Sequence, residues 1–179
     1  YWKRQGKPFT DLPDERTRRV FEVGHIFHRW LQDILQRKGL LLAKEYEVMD
    51  EHRIGHVDAI VRYEDDWVVM YDFKTVHSRK FHWKKKENRY SDMHYALQAW
   101  TYYQMINIDV HEVRLAYISK DDLLIDEILV SDYDSIGSKT IEDWDLLISA
   151  WVKGEEPKPN PMNWECMYCV YRSACDYKR

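Results

Sequence analysis

The hydrophobic and polar positions along the chain predict an ordered series of helices and strands. Between residues 15 and 37 the apolar residues recur every three or four positions, the spacing of an amphipathic helix with one buried face. Shorter, almost continuously apolar runs predict strands. In chain order, the predicted elements are a helix over about 15–37, strands over about 43–49, 53–63 and 67–75, a helix over about 92–106, strands over about 113–119 and 124–130, and a helix over about 132–152.

This order predicts an α/β fold in which a mixed central β-sheet is flanked by helices. Residues 77–90 are predicted to form a charged, aromatic loop. Three prolines after residue 156 predict an irregular C-terminal tail that carries the cysteines. We expect a single domain over residues 1–179, with a core over about 15–152 and a tail, 153–179, that packs back on the N-terminal segment.

The hairpin GHVDAIVRYEDDWVVMYDFKTV, residues 55–76, contains three charged side chains within apolar strands. A three-residue turn at residues 64–66 places Asp58 directly opposite Asp72, and a two-residue turn moves the pairing by one position. Opposed like charges roughly 5 Å apart destabilise a sheet, and burial adds a desolvation cost. The pair therefore requires a cation, either Lys74 on the same face as Asp72 or a divalent metal. A buried ion network without chemistry is the alternative.

Side chains on other elements extend this candidate site. His28 lies on the apolar face of the first helix, where a histidine is usually a core residue but can also ligate a metal. A helix-interior glycine one turn earlier, Gly24, indicates close packing there. Gln98 and Tyr102 are four residues apart and share a helix face. Glu45, on the strand before the hairpin, is either an accessory acid or an exposed strand-edge carboxylate.

Four short motifs in this order resemble the PD-(D/E)XK nuclease superfamily. The resemblance is closest to the RecB-like branch, which includes the CRISPR-associated iron-sulfur exonucleases and their phage relatives. The motifs are GHIFH (24–28), GHVDA (55–59), DFKT (72–75) and QAWTY (98–102). The resemblance implies a restriction-endonuclease-like core.

The same resemblance implies roles for the site residues. His28, Asp58, Asp72 and the backbone carbonyl of Phe73 would bind Mg²⁺ or Mn²⁺. Lys74 would orient or deprotonate the attacking water, or stabilise the charge that develops on the phosphate. The catalytic set is completed by Gln98 and Tyr102, which would support the site and contact the substrate strand.

A basic, aromatic stretch, KFHWKKKENRY (80–90), follows the strand that carries Lys74. Cations that follow phosphates and rings that stack on bases are typical of single-strand binding, whereas a solvated charged loop is the alternative. We expect the stretch to overhang the site and to bind nucleic acid. The candidate residues are Lys80, Trp83, Lys84, Lys85, Lys86 and Arg89.

The C-terminal tail contains CMYCVYRSAC, which places Cys166, Cys169 and Cys175 in a C-x2-C-x5-C pattern. This spacing lets thiolates converge on a metal or cluster, and the odd number is unlike a disulfide framework. The resemblance implies three of four ligands to a structural [4Fe-4S] cluster. The fourth is not seen in this sequence and is expected upstream of Tyr1, unless another residue substitutes or no cluster forms. Zinc, or three inert thiols, are the alternatives.

Composition sets the remaining limits. A net charge of -4 excludes a global attraction to nucleic acid, so DNA must be bound by a local patch. No apolar run approaches the roughly 20 residues that span a bilayer, so we expect an intracellular, cytoplasmic protein without membrane contact.

We therefore expect a metal-dependent DNA nuclease, an exonuclease on single-stranded or end-containing DNA in recombination, repair or CRISPR adaptation, with a helicase or CRISPR integrase as a possible partner. A catalytically idle DNA-binding or docking module, a site-specific endonuclease and an RNase are the alternatives.

Overall fold

A computed structural model of the chain describes residues 3, 5–87, 93–130, 133–158 and 165–177, with the side chains of 84–87 and 133–136 left out of the description. Every helix and strand predicted from the sequence is present, and the bounds agree to within two residues. In chain order the elements are α1 (Glu15–Arg37), β1 (Leu41–Met49), β2 (Ile54–Arg62), β3 (Val68–Val76), α2 (Ser78–Glu87), α3 (Met93–Met105), β4 (Glu112–Ser119), β5 (Ile125–Leu129), α4 (Tyr133–Lys153) and the short α5 (Glu165–Tyr168).

The five strands form one mixed sheet in the order β1-β2-β3-β4-β5. Strands β1, β2 and β3 pair antiparallel, β3 pairs parallel with β4, and β4 pairs antiparallel with β5. The connection between β3 and β4 carries α2 and α3, because a parallel pair needs a long crossover.

Two apolar clusters cover the two faces of the sheet. On one face Phe27, Leu31 and Leu35 of α1 pack against strand residues. On the other face Ala96 and Ala99 of α3 and Phe81 of α2 pack against the alternate residues of the same strands, and β3 is buried along almost its whole length. The predicted mixed sheet flanked by helices is therefore confirmed, and its arrangement is that of the restriction-endonuclease-like fold.

The prediction of a loop over residues 77–90 was wrong for residues 78–87, which form α2. Phe81 is only 1% exposed and anchors the helix in the core. The first turn is capped from a distant part of the chain, because the Ser78 N–H donates to Oδ2 of Asp121 at 2.8 Å. A local pattern cannot reveal a cap that comes from the β4–β5 turn. Residues 88–90 lie outside the described residues.

The chain divides into two compact units, one of residues 24–141 and the other of residues 1–23 and 142–179. In the second unit the N-terminal segment contacts the tail. The N–H groups of Thr10 and Asp11 both donate to the carbonyl of Val170 at 2.9 Å. A carboxylate oxygen of Asp11 accepts a 2.7 Å hydrogen bond from the Ser173 N–H, and the Tyr171 hydroxyl donates to the carbonyl of Lys7.

Among the described residues, no helix is both long and apolar enough to cross a membrane.

Candidate active site

The site begins at the antiparallel pair of β2 and β3. Ala59 pairs with Tyr71 and Arg62 with Val68, which is the register of the three-residue turn. Asp58 and Asp72 are the next two positions in that register, and both carboxylates belong to the first compact unit. The opposed pair is therefore placed by the strand pairing itself.

The Asp58 carboxylate is held from two sides. One oxygen, Oδ2, accepts a 2.6 Å hydrogen bond from the Phe73 N–H. The other, Oδ1, lies 3.1 Å from Nδ1 of His28 on α1. Burial by itself lowers the pKa of His28, but the hydrogen bond and the charge of Asp58 outweigh it, so the net pKa is raised. Helix α1 thus places an imidazole beside the β2 carboxylate.

The Asp72 carboxylate is almost fully buried and pairs with Lys74. Its side chain is 6% exposed, and Oδ2 lies 2.7 Å from Nζ of Lys74. Oδ2 has no well-directed hydrogen bond, so this contact is an ion pair by distance. Burial raises the pKa of Asp72, Lys74 opposes the rise and Asp58 adds to it, with a result of about 6.

Helix α3 fixes the position of the lysine. Nζ of Lys74 donates to Oε1 of Gln98 at 2.9 Å, and Nε2 of Gln98 donates to the hydroxyl of Tyr102 at 3.1 Å. The ammonium also lies 4.6 Å from the ring centroid of Tyr95. Residues 95, 98 and 102 share one face of α3, so a single helix face orients the lysine.

Gly55 explains how the Tyr102 ring reaches this position. A Cβ on Gly55 would lie 2.2 Å from Cε1 of Tyr102, a distance that atoms cannot adopt. The glycine at this position of β2 is therefore required by the close approach of the ring. Gly24 is different, because a Cβ there would meet only Oγ1 of Thr75, at an ordinary 3.7 Å. The close packing that the sequence indicated at Gly24 is not found.

A third carboxylate, Glu45 of β1, completes a group that could hold a metal ion. One ligand atom from each of His28, Glu45 and Asp58 lies within 4.8 Å of the others, and no other such group of His, Cys, Asp or Glu occurs in the described part of the chain. Ligands about 2.1 Å from Mg²⁺ at right angles lie about 3 Å apart, so the 3.1 Å hydrogen-bond distance between His28 and Asp58 needs little change to admit an ion. One nitrogen and two carboxylate oxygens fit a divalent cation.

Sequence reasoning left Glu45 undecided between an accessory acid and an edge carboxylate. Asp72 is not a member of the three-residue group among the described residues, whose two carboxylates come from Glu45 and Asp58. That Asp72 and the Phe73 carbonyl bind metal stays a prediction.

The predicted nucleic-acid and cysteine residues are only partly described. Lys80 and Trp83 lie on α2 and are exposed, Trp83 by 50%. The side chains of Lys84, Lys85 and Lys86 and the whole of Arg89 lie outside the described residues. In the tail, Cys166 and Cys175 are half-buried, Cys169 is exposed, and all three are free thiols.

The family model of the PD-(D/E)XK nuclease superfamily matches residues 45–176. The chain belongs to this superfamily. The matched range contains Glu45, Asp58, Asp72 and Lys74, whereas His28 precedes it. Members of the superfamily are nucleases that use divalent metals and act on DNA.

The fold of this chain is similar to that in the crystal structure of SSO0001, which is 24% identical to this chain. The alignment covers 88% of this chain and 70% of that one, with a TM-score of 0.55. At this identity the likeness shows the fold alone. No curated protein matches the chain.

Proposed function

We propose that this superfamily member is a divalent-metal-dependent deoxyribonuclease, and that it acts as an exonuclease on single-stranded or end-containing DNA. The observation that carries the proposal is the buried Asp72–Lys74 pair beside the His28–Asp58 contact. A buried ion pair is a weak stabiliser, so its place in a site with a third carboxylate favours catalysis over stability.

His28 and Asp58 would hold the ion, together with the predicted ligands Asp72 and the Phe73 carbonyl. When bound, such an ion polarises a phosphate and lowers the pKa of coordinated water. The Phe73 N–H fixes one oxygen of Asp58 and leaves the other directed toward His28. The Asp58 carboxylate would therefore be oriented before an ion arrives.

Lys74 is the group that would act on the reacting atoms. Its ammonium is held at three points, by the Asp72 carboxylate, the Gln98 oxygen and the Tyr95 ring. A lysine fixed in this way can donate to an attacking water or to a phosphate oxygen without reorganising during the reaction. Gln98 holds the lysine, Tyr102 accepts a hydrogen bond from Gln98, and both would contact the substrate strand.

Helix α2 follows β3 directly and would guide the substrate strand. Its exposed Trp83 offers a ring for base stacking, and Lys80 offers a cation for a phosphate. The chain as a whole is acidic, so this local patch supplies the attraction that its net charge does not.

The tail cysteines would ligate a [4Fe-4S] cluster with a structural role. The three thiols are reduced and lie within one short segment, and a fourth ligand would complete the set. Visible charge-transfer absorption from anaerobically purified protein supports the cluster. A colourless protein with stoichiometric zinc would instead indicate a zinc site.

The cellular setting that fits this activity is intracellular DNA recombination, repair or CRISPR adaptation, with a helicase or integrase as partner. Co-purification from cells that express the tagged chain tests the partner directly. A catalytically idle docking module is the competing function.

Substrate form separates the competing activities. End-labelled linear single strands, closed circular single strands and an RNA of the same sequence would each be incubated with Mg²⁺ or Mn²⁺. We expect the linear DNA to be degraded from an end while circles and RNA persist. Equal cleavage of circles would indicate an endonuclease, preference for RNA an RNase, and no hydrolysis of any substrate the idle module.

A further inference from the structure

The regular alternation of side chains between the two faces of the sheet breaks in β1 and β2 near Asp58. In β2, Val57 and Ile60 pack in the same core cluster although they are three residues apart. In β1, Ala43 and Tyr46 pack against that same cluster, also three residues apart. A regular strand would send such pairs to opposite faces. Both strands are therefore irregular at the same level of the sheet.

Glu45 and Asp58 face each other at this irregular level. Lys44 pairs with Ala59 and Tyr46 with Val57, which leaves Glu45 across from Asp58. The register does not shift at this level, since the bulge of the β1–β2 pair lies earlier, between Leu41 and Ala43. Two acidic side chains are thus brought together, and their mutual repulsion would destabilise the strand pair unless something offsets it.

The backbone of Glu45 is left-handed, with a φ of 46°. The other two non-glycine residues with positive φ in the described chain, Asp66 and Leu123, lie in turns, whereas Glu45 lies inside a strand. A left-handed conformation is costly for a residue with a side chain, and such strain persists only where the surrounding structure enforces it.

Gln32 is the part of the surroundings that enforces the geometry. It lies one turn after His28 on α1, and it is only 2% exposed. Its Nε2 donates to Oε1 of Glu45 at 2.7 Å and to the carbonyl of Asp58 at 2.8 Å. One buried amide therefore ties both strands together at the irregular level and fixes the direction of the Glu45 carboxylate.

We propose that Glu45 is a further ligand of the divalent ion and that Gln32 is the positioning residue that holds it there. This inference rests on the proposed metal-dependent function and adds to it a ligand from β1 and a support from α1. The helix then contributes to the site twice, through His28 to the ion and through Gln32 to the glutamate. The strained backbone at Glu45 is retained because it aims the carboxylate at His28 and Asp58.

The test is Mn²⁺ binding to metal-free protein, measured by calorimetry and by the loss of the free-ion electron paramagnetic resonance signal. Glu45→Gln keeps the shape and an acceptor for Gln32 but removes the charge. Gln32→Met keeps the volume but removes the donor. Glu47→Gln is the matched control, because Glu47 is an exposed carboxylate on the same strand outside the three-residue group.

We expect Glu45→Gln and Gln32→Met to weaken Mn²⁺ binding by about 10- to 100-fold, as loss of a ligand or of its support does, with Glu47→Gln within twofold of wild type. Binding of Mn²⁺ to Glu45→Gln within twofold of wild type would overturn the inference. If Gln32→Met does not fold, Glu45→Gln decides alone.

Asp58→Asn separates this inference from the proposed function. Loss of Mn²⁺ binding in Asp58→Asn, with unchanged binding in Glu45→Gln, rejects the role of Glu45 and leaves the nuclease proposal standing. Absence of Mn²⁺ binding in the wild type would reject both.

Discussion

Asp72 is the residue at which burial and charge conflict most directly. Its carboxylate is removed from water and lies near Asp58, and both effects favour the protonated form. The Lys74 ammonium, 2.7 Å away, is the main influence that favours the ionised form. The protonation state of Asp72 near neutral pH therefore depends on Lys74.

In metal-free protein we expect the Asp72 carboxyl to titrate at a pKa of about 6. Lys74→Met removes the neighbouring cation and should raise that pKa further, because the charged form loses its partner. Carboxyl ¹³C chemical shifts followed against pH measure both values. A pKa for Asp72 that falls or stays constant in Lys74→Met would contradict this assignment.

A second prediction at the residue scale concerns the pH dependence of stability that His28 contributes. Because its pKa is raised in the folded protein by Asp58, the pair stabilises the metal-free fold fully below the unfolded pKa of about 6.5 and loses this effect as pH rises through the folded value.

Thermal melting in EDTA should give His28→Gln a lower melting temperature than wild type at pH 5.5. The difference between the two melting temperatures should become smaller at pH 8.5. The exposed His56, replaced in the same way, is the control. A difference in melting temperature between wild type and His28→Gln that grows as pH rises would contradict the raised pKa of His28.

At the scale of elements, the α3–β2 contact decides where Gln98 and Tyr102 lie. Tyr102 occupies the space over Gly55, and the same helix face carries Tyr95 and Gln98 to Lys74. Displacement of this one ring should therefore disturb the lysine as well as the packing.

Gly55→Ala should destabilise the protein by about 1–3 kcal/mol, because the new methyl group overlaps the Tyr102 ring. Gly24→Ala is the matched control, since its methyl group fits and alanine is favoured in a helix by about 1 kcal/mol. Urea unfolding measures both, and Gly55→Ala should cost less stability in a Tyr102→Ala background than in wild type, because the overlapping ring is gone. Equal stability of the two single alanine variants would refute the packing explanation.

The bounds of α1 could be predicted from its regular apolar period, and those of the strands from their almost continuously apolar runs. Helix α2 could not, since its cap is Asp121, forty-three residues away, and its anchor is the single buried Phe81. That Asp58, Asp72 and Lys74 are neighbours could be predicted from the length of the turn and the resulting strand register. The place of Glu45 beside Asp58 could not be predicted, because it depends on a left-handed residue within a strand and on a distant buried glutamine.

At the scale of the whole molecule, the proposed catalytic groups all belong to the unit of residues 24–141, and the cysteines belong to the other unit. The latter unit is joined by hydrogen bonds between residues 10–11 and residues 170 and 173. We therefore expect Cys169→Ser to lower the melting temperature of the chain and to leave DNA cleavage by the folded protein close to that of wild type.

The central claim is that Lys74 and the carboxylates around it catalyse phosphodiester hydrolysis, and its most direct measurement is DNA cleavage by matched variants. Linear single-stranded DNA would be incubated with Mn²⁺ and wild type, Lys74→Met or Lys153→Met. Lys153 is the matched control, because it is an exposed lysine in the last turn of α4. Circular dichroism would verify that each variant is folded. We predict metal-dependent cleavage by wild type and Lys153→Met and a loss of about 100-fold or more in Lys74→Met. Folded Lys74→Met that cleaves as fast as wild type would contradict the account.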